Sequence, residues 1–515
     1  MTTDERGTSW WEGPMLVVVG CILVGWSLVA LTWPLSGDDG VFAWIADTVH
    51  RGGAPYRDAW DTKGPGAWLP SLLVQNIVGR NSWGIRAFDI AMVVLGLLGI
   101  RSVARRIALP GGGAIAMALY ALWYASLDFW QSAQPDGWTA SWLIAACGLV
   151  LIGNPVAALV AGSLVGLATM SKPFYIGFAV VLWMLIAFVP QRSTRQRVVH
   201  SLLVLVGIVT SVAIILWLVK AWGGWDAYLD AQRWTRDVYA GLDTNWITRF
   251  PSAFQQVLTT PWGVVVPFAI FGALAPPLKE RRLAWALVVG FLGAVAGVIV
   301  QGRFWTYHGL PMLPFLALLA DCGFMALRRE VAGVPAARFR AVALLLALAA
   351  GAAAPLQLFY RFTRSRINTE IRARYERHEF RYYGHHSDAA YGIVDSLSRI
   401  EPRPARIMMW AMHMGPYFVS DLTLPTRFAV IRPLFDGPGT AYRARYRAEF
   451  EAGMRAQPAR WWLIPSASLL QRDDELRERE ISTYPAVEEF LRTNYRRAGG
   501  TEDWDILEYT GTISR

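Results

Sequence analysis

Residues 14–35 read PMLVVVGCILVGWSLVALTWPL, and residues 36–66 continue as SGDDGVFAWIADTVHRGGAPYRDAWDTKGPG. The first stretch is apolar and has the length of about 20 residues that a helix needs to cross a bilayer. The second stretch places two adjacent carboxylates, Asp38 and Asp39, where that helix should reach the far side of the membrane. Poorly solvated carboxylates at a membrane boundary are costly and usually have a partner or a task. We therefore interpret residues 36–66, the first loop, as the active-site loop of a membrane-embedded enzyme.

The composition is that of a membrane protein. Of the 515 residues, 54% are hydrophobic and 17% are charged, which is too apolar for an ordinary soluble chain. The formal net charge of +10 comes mainly from basic clusters in short loops between apolar runs, the arrangement of the positive-inside rule. The basic charge therefore reflects orientation in a lipid bilayer, and no nucleic-acid partner is expected. The clusters lie at 101–106, 192–197, 279–282 and 328–340.

The apolar runs predict about eleven transmembrane helices. They lie at 14–35, 84–102, 111–127, 138–153, 156–171, 173–190, 200–219, 261–278, 283–300, 309–327 and 340–359. With the basic loops inside, this odd number predicts a multi-pass protein whose N-terminus is cytoplasmic. Everything after Tyr360 is then periplasmic or extracellular, and a bacterial inner membrane is the expected location.

The segments outside the membrane form two groups. The aromatic loop at 220–260 is expected to lie as helices in the membrane interface. From about residue 361 the chain becomes polar, so we predict a membrane domain at 1–360 and an extracytoplasmic domain at 361–515. Alternating strand-like and helical patterns in the second domain predict an α/β layer with a mainly parallel sheet. The expected strands are 407–412, 428–431, 461–465 and 504–509, and the expected helices are 389–400, 441–455 and 486–496.

The first loop resembles the signature of the GT-C glycosyltransferase superfamily, in the branch of protein O-mannosyltransferases and lipid A aminoarabinose transferases. The elements that match are the acid pair Asp38-Asp39, Phe42, the run Gly53-Ala54-Pro55-Tyr56 and Lys63-Gly64-Pro65. The resemblance continues by element order over roughly the first 330 residues, through Arg86, the Gln134-Pro135-Asp136 loop, Ser171-Lys172 and the segment containing Arg303, His308 and Pro311. Asp39 replaces the more common Glu, Gly64 stands where a Pro is usual, and Gly rather than Tyr follows His308.

The resemblance implies a polytopic α-helical membrane protein of the GT-C type, with interfacial periplasmic helices and a C-terminal α/β soluble domain. It also implies a donor in which a sugar is joined to a polyprenyl phosphate. The sugar would move, with inversion, to a hydroxyl group of an envelope glycan, lipid or protein on the extracytoplasmic side. Such a displacement needs a carboxylate base for the hydroxyl and cations for the departing phosphate.

Asp38 is the predicted general base, and the alternative is a cap for the helix that follows it. Asp39 is expected to assist catalysis by orienting the acceptor or holding a metal ion, or to be the cap itself. For the donor phosphate the sequence offers Lys63, Arg303, His308 and Lys172. The alternatives are a salt bridge from Lys63 to Asp58 or Asp61, and snorkelling of the other three side chains towards the interface.

The predicted acceptor- or sugar-binding residues are Asp136, Tyr56 and Asp61. Asp136 is alternatively a turn residue after Pro135. No metal is certain from the sequence, but Asp39 and Asp136 could contribute to a site for a divalent ion such as Mg, Mn or Ca. Arg86 and Asp89, three residues apart at a helix entrance, are expected to form a structural pair.

Two other functions compete with this interpretation. One is an O-antigen ligase or polymerase-like transferase that moves a different lipid-carried group. The other is a polytopic transporter or flippase, which should place its polar residues at mid-membrane on broken helices in repeated halves. Here the polar residues cluster on outer loops and no repeat is visible, which favours the transferase.

Overall fold

The computed structural model describes residues 12–35, 37–127, 129–190, 192–239, 263, 265–274, 281–302, 305–330, 387–400, 405–411, 414–420 and 422–511. Arg303, the predicted span at 340–359 and the predicted domain boundary near residue 360 lie outside these ranges. The division into two domains therefore stays a prediction. Residues 387–511, within the described ranges, are called the C-terminal unit below.

Thirteen α-helices are described in the part of the chain before residue 331. They are α1 (Glu12–Ala30), α2 (Gly37–His50), α3 (Leu69–Val78), α4 (Ser82–Arg106), α5 (Ala114–Ser126), α6 (Pro135–Ile152), α7 (Pro155–Ser171), α8 (Phe178–Phe188), α9 (Thr194–Ala221), α10 (Trp225–Trp234), α11 (Val266–Leu274), α12 (Arg281–Gln301) and α13 (Leu313–Glu330). Among the described residues, six helical segments are long and apolar enough to cross a membrane. They are Glu12–Ala30, Ser82–Arg106, Pro135–Ile152, Thr194–Ala221, Arg282–Gln301 and Tyr307–Arg328.

Every predicted span within the described residues coincides with a helix, and the polytopic helical fold is confirmed. Large apolar side chains such as Val17, Trp217 and Leu274 are 65–74% exposed, as expected for surfaces that face lipid rather than water. The two short spans at 138–153 and 156–171 are separate helices. Gly153 ends α6 in the left-handed conformation, and the Asn154 side chain accepts a hydrogen bond from Ala157 N at the start of α7.

The first loop folds as a helix followed by a tight turn. Helix α2 begins at Gly37, so Asp38 and Asp39 occupy its first turn, where the helix dipole favours negative charge. After α2, a glycine brings the chain close to the end of α7. A Cβ at Gly64 would lie 2.1 Å from the Met170 carbonyl oxygen, a separation that only glycine avoids. The backbone beside Lys63 is therefore packed directly against the exit of a membrane helix.

The C-terminal unit is an α/β layer, as predicted. Its helices are α14 (Ser387–Ile400), α15 (Gly415–Ser420), α16 (Ala441–Ala456), α17 (Ala467–Arg472), α18 (Asp474–Glu478) and α19 (Pro485–Asn494). Its strands are β1 (Ala405–Met409), β2 (Leu422–Thr423), β3 (Trp461–Pro465), β4 (Tyr495–Gly500) and β5 (Trp504–Tyr509), in the sheet order β2-β1-β3-β5-β4.

Two predictions about this sheet are wrong. The sheet is mixed rather than mainly parallel, because β5 pairs antiparallel with both β3 and β4. The apolar run at 428–431 is not a strand; it is a buried irregular segment that leads into a short 3₁₀ helix, Arg432–Leu434. Its apolar side chains are needed for packing rather than for a strand pairing.

The C-terminal unit packs on the first loop. Phe42, Tyr56 and Trp60 belong to one hydrophobic core with Ile407 and Trp462 of the sheet. Trp60 itself contacts Trp234 of α10 and Tyr446 of α16 edge to face. The first loop is thus enclosed between membrane helices and the α/β layer.

Candidate active site

A cavity of about 310 Å³ lies where the first loop, the membrane helices and the C-terminal unit meet. Its polar wall comes from the first loop, the end of α7, α10 with the residues that follow it, the end of α12 with the segment before α13, and the start of the Arg432–Leu434 helix. The polar and charged lining side chains are Asp38, Asp61, Thr62, Lys63, Ser171, Lys172, Gln232, Thr235, Tyr239, Gln301, Tyr307, His308 and Arg432. Apolar residues including Val41, Trp130, Phe174, Val300 and Trp305 complete the wall.

Asp38 is held from two sides at the wall of this cavity. Its Oδ1 lies 3.2 Å from Lys63 Nζ, and its Oδ2 accepts a hydrogen bond of 3.0 Å from the Tyr307 hydroxyl. Lys63 also lies 4.9 Å from the centre of the Phe42 ring, a cation–π distance. The predicted alternative is a salt bridge from Lys63 to Asp58 or Asp61. Asp58 pairs instead with the neighbouring Arg57, and the ion pair found for Lys63 is the one with Asp38.

These contacts determine the charge of the groups. Burial by itself would raise the pKa of Asp38, but Lys63 and Tyr307 outweigh burial and hold the pKa of this carboxyl below its ordinary value. Burial opposes the charged form of Lys63, but Asp38 and Asp61 outweigh it, and the pKa of Lys63 is raised. At neutral pH the two side chains therefore form a carboxylate–ammonium pair.

Asp61 is the second carboxyl group of the cavity. It is 3% exposed, and its Oδ2 makes no hydrogen bond to any described residue. Burial is the main cause of its raised pKa; Lys63 acts in the opposite direction and the charge of Asp38 adds to the rise. A buried carboxyl oxygen without a partner can bind a hydroxyl group that enters the cavity.

Lys172 reaches the cavity from the end of α7. Its Nζ lies 2.8 and 2.6 Å from the two carboxylate oxygens of Asp136 and also donates to Gln301. Asp136 additionally accepts a hydrogen bond of 3.1 Å from the Tyr175 hydroxyl. Asp136 lies behind Lys172, outside the cavity lining, so it orients this lysine instead of facing the cavity.

Asp39 points away from the cavity. Its Oδ2 lies 3.0 Å from Arg86 Nη2, and both side chains are 1% exposed. Arg86 also donates to the carbonyl oxygens of Pro34 and Phe129. The structural partner of Arg86 is thus Asp39, whereas Asp89 accepts hydrogen bonds from Tyr124, Trp138 and Ala133.

The residues proposed for a metal do not fit one. Asp39 is neutralised by Arg86 and Asp136 by Lys172. Across the described ranges, no three His, Cys, Asp or Glu side chains come together in a way that could hold a metal ion. Asp39 and Asp136 are therefore partners of Arg86 and Lys172 and not metal ligands.

Tyr56 does not line the cavity either. It is fully buried, with its hydroxyl donating to the Lys63 carbonyl oxygen at 2.8 Å and accepting from Trp68 Nε1 at 3.1 Å. Its backbone has φ of 64°, a left-handed conformation that is rare outside glycine. Tyr56 therefore shapes the loop that carries Lys63.

Among the predicted phosphate-binding residues, His308 lies in the cavity wall, next to Tyr307, and Arg303 lies outside the described residues. Sequence reasoning missed Tyr307, Gln301, Tyr239 and Arg432 as lining residues. Tyr307 directly precedes His308, a predicted phosphate-binding residue, and this position is the sequence signal that could have indicated Tyr307 as a lining residue. The sequence carries no comparable signal for Arg432, which reaches the cavity from the C-terminal unit and lies 5.4 Å from the Tyr239 ring.

The chain is similar to known membrane transferases in part of its sequence and in its fold. Residues 64–217 match a family model described as dolichyl-phosphate-mannose-protein mannosyltransferase. The structure is similar to ArnT from Cupriavidus metallidurans bound to undecaprenyl phosphate, with 14% identity, a TM-score of 0.61, and coverage of 97% of this chain and 98% of that chain. It is also similar to the Archaeoglobus fulgidus oligosaccharyltransferase tethered with an acceptor peptide, with 14% identity, a TM-score of 0.55, and coverage of 96% and 73%. A comparison with curated proteins gives no significant match.

The fold is therefore that of the GT-C membrane glycosyltransferases. The family match over residues 64–217, together with this fold, confirms the resemblance seen in the first loop. The predicted enzyme class, a glycosyltransferase, is confirmed at the level of the superfamily. The roles of individual residues stay predictions.

Proposed function

We propose that the protein transfers a sugar from a polyprenyl-phosphate donor to a hydroxyl group of a cell-envelope glycan, lipid or protein. The transfer would take place on the extracytoplasmic side of a bacterial inner membrane, with inversion at the anomeric carbon. The observation that carries the proposal is the contact between Asp38 and Lys63 in the wall of one cavity, with Lys172 and His308 in the same wall. A carboxylate and a group of cations are the two requirements of this reaction.

The cavity has both the polarity and the access that such a donor needs. Val300 and Trp305 in its wall are 62% and 47% exposed, so they offer an apolar edge towards the bilayer for the prenyl chain. ArnT from Cupriavidus metallidurans binds undecaprenyl phosphate within the same fold. We infer that a lipid of this kind enters along the apolar edge and brings its phosphate to the lysines.

In the proposed reaction, Asp38 accepts the proton of the acceptor hydroxyl as its oxygen forms a bond to the anomeric carbon. The bond between that carbon and the phosphate oxygen breaks, and the phosphate leaves with the electron pair. Lys63 and Lys172 stabilise the negative charge on the leaving phosphate. The Asp38–Lys63 pair is then a resting arrangement: a bound phosphate attracts Lys63, which leaves the Asp38 carboxylate a better base.

Asp61 is proposed to bind a hydroxyl of the sugar or acceptor, because its buried Oδ2 makes no hydrogen bond to a described residue. Asp39 and Tyr56 are proposed to support the loop rather than to contact substrate. The transporter alternative receives no support from the family match, which is to a transferase.

The test is a transfer assay with the purified full-length protein in detergent. The protein is incubated with a panel of prenyl-phosphate sugars and an extract of envelope acceptors, and the lipid products are followed by mass spectrometry. Consumption of one donor with release of prenyl phosphate supports the proposal. If no donor in the panel is consumed while the same preparation binds undecaprenyl phosphate, the transferase assignment fails.

A further inference from the structure

Arg427 of the C-terminal unit holds the first loop at two points. Its Nη1 donates a hydrogen bond of 3.1 Å to the carbonyl oxygen of Tyr56. Its own carbonyl oxygen accepts a hydrogen bond of 2.9 Å from Trp60 N. The two bonds enclose the turn at residues 56–60, which lies shortly before Lys63 in the chain.

The guanidinium of Arg427 is itself fixed. Its Nη2 donates a hydrogen bond of 2.7 Å to Oε2 of Glu449 on α16, and its Nε lies 2.7 Å from Oε1 of the same carboxylate. The guanidinium carbon also lies 5.0 Å from the Phe428 ring and 5.5 Å from the Tyr446 ring. A group with this many contacts is preorganised, so it can impose its geometry on the loop.

Tyr56 connects Arg427 to Lys63 through hydrogen bonds. Tyr56, whose carbonyl Arg427 binds, donates its hydroxyl to the Lys63 carbonyl oxygen at 2.8 Å. A non-glycine residue with φ of 64° keeps that conformation only when its surroundings over-determine it. Arg427 is one of the groups that do so, although it does not line the cavity.

A second set of contacts reaches the loop from α10 and the residue after it. The carbonyl oxygen of Thr62 accepts hydrogen bonds of 3.1 Å from Gln232 and 3.4 Å from Thr235. Arg427 thus acts on the turn before Lys63, while these two residues act on the residue directly before it. The position of Lys63 beside Asp38 depends on the C-terminal unit as well as on the membrane helices.

We propose that Arg427 is a positioning residue for the donor-phosphate site, acting through the Tyr56–Lys63 turn. The proposal rests on the proposed function, in which Lys63 binds the donor phosphate. It means that the C-terminal unit sets donor affinity, in addition to any contact that it makes with the acceptor.

The test measures binding of undecaprenyl phosphate to the purified full-length protein in detergent. Arg427→Gln should weaken binding by about 2- to 30-fold, the size of a coupling of this kind. Arg427→Lys should not restore it, because an ammonium cannot make both contacts with Glu449 and also bind the Tyr56 carbonyl. The matched control is Arg496→Gln, which removes an arginine paired with Glu508 at the far side of the sheet and should leave binding unchanged.

The decisive measurement repeats Arg427→Gln in a Lys63→Ala background. If Arg427 acts through Lys63, the second substitution causes no further loss there. Equal weakening in both backgrounds, or no weakening in either, overturns the inference. If Lys63→Ala alone leaves the affinity for undecaprenyl phosphate unchanged, the proposed phosphate site itself is wrong. This outcome can be told apart from one in which only the role of Arg427 is wrong.

A second variant tests the inference if Arg427→Gln does not fold. Glu449→Gln keeps the arginine but removes the carboxylate that fixes it, and Glu449 is 44% exposed, so its loss should be tolerated. This variant should weaken undecaprenyl phosphate binding in the same direction as Arg427→Gln. Unchanged binding in a folded Glu449→Gln protein would also count against the inference.

Discussion

Lys63 places its ammonium nitrogen 3.2 Å from Oδ1 of Asp38, so the proposed phosphate-binding cation and the proposed base neutralise each other before substrate arrives. The hydroxyl of Tyr307 holds the other carboxylate oxygen at 3.0 Å. A donor phosphate that attracts Lys63 would change the charge balance of Asp38 at the moment the base is needed. Donor binding and the base strength of Asp38 are therefore linked in this arrangement.

Tyr307→Phe should move the acidic limb of the pH–rate profile to higher pH. The hydrogen bond from Tyr307 lowers the pKa of Asp38, so its removal raises that pKa. A base must be ionised to act, and the variant therefore loses kcat/KM at a higher pH than the wild type as the solution is acidified. The control is Tyr442→Phe, which removes a hydroxyl that donates a hydrogen bond to Asp237, a carboxylate paired with Arg236 and not part of the cavity wall. An acidic limb that stays in place for Tyr307→Phe would show that Asp38 does not govern it.

Asp39→Asn should lower stability more than it lowers catalysis in the folded fraction. Its partner Arg86 is 1% exposed, and breaking a buried pair by removing one charge costs about 3–5 kcal/mol. Thermal unfolding in detergent measures this loss. Asp395→Asn, which breaks an exposed pair with Arg399, should cost no more than about 1 kcal/mol. If Asp39→Asn abolishes transfer with an unchanged Tm, Asp39 has a catalytic role that its position does not suggest.

Gly64→Ala should weaken donor binding. Its Cβ would lie 2.1 Å from the Met170 carbonyl oxygen, so the loop must move and Lys63 moves with it. The measurement is undecaprenyl phosphate affinity, compared with that of Gly177→Ala, where no atom lies within 4 Å of the added Cβ. Equal affinities in the two variants would mean that the contact with α7 does not fix the loop.

The sequence predicted the membrane helices well because a bilayer imposes a simple rule of length and polarity. It placed Asp38 and Lys63 in one active-site loop, but it did not predict that the two side chains form an ion pair. It could not predict that Tyr307 would complete the contact, because that residue is distant in the chain and only helix packing brings it to Asp38. The positions of Arg432 and Arg427 near the site could not be predicted for the same reason. A single arginine in a soluble segment is part of no sequence pattern that indicates a membrane cavity.

The errors in the C-terminal unit have a local origin. The run at 428–431 is apolar because it is buried beside the first loop, and burial alone does not distinguish a strand from an irregular segment. Strand β4, with sequence YRRAGG, was missed because it is an exposed edge strand with arginines and glycines instead of alternating apolar residues. Its pairing with β5 is antiparallel, and this made the sheet mixed.

The most direct measurement compares wild type with Asp38→Asn in single-turnover transfer from the polyprenyl-phosphate sugar that the wild type consumes. The rate of Asp38→Asn should be lower by about 10²–10⁴-fold, the usual contribution of a general base. Binding of undecaprenyl phosphate should be retained or tightened, because Lys63 loses its carboxylate partner. Transfer at the wild-type rate by Asp38→Asn would contradict the assignment of Asp38 as the base and the reaction proposed for this cavity.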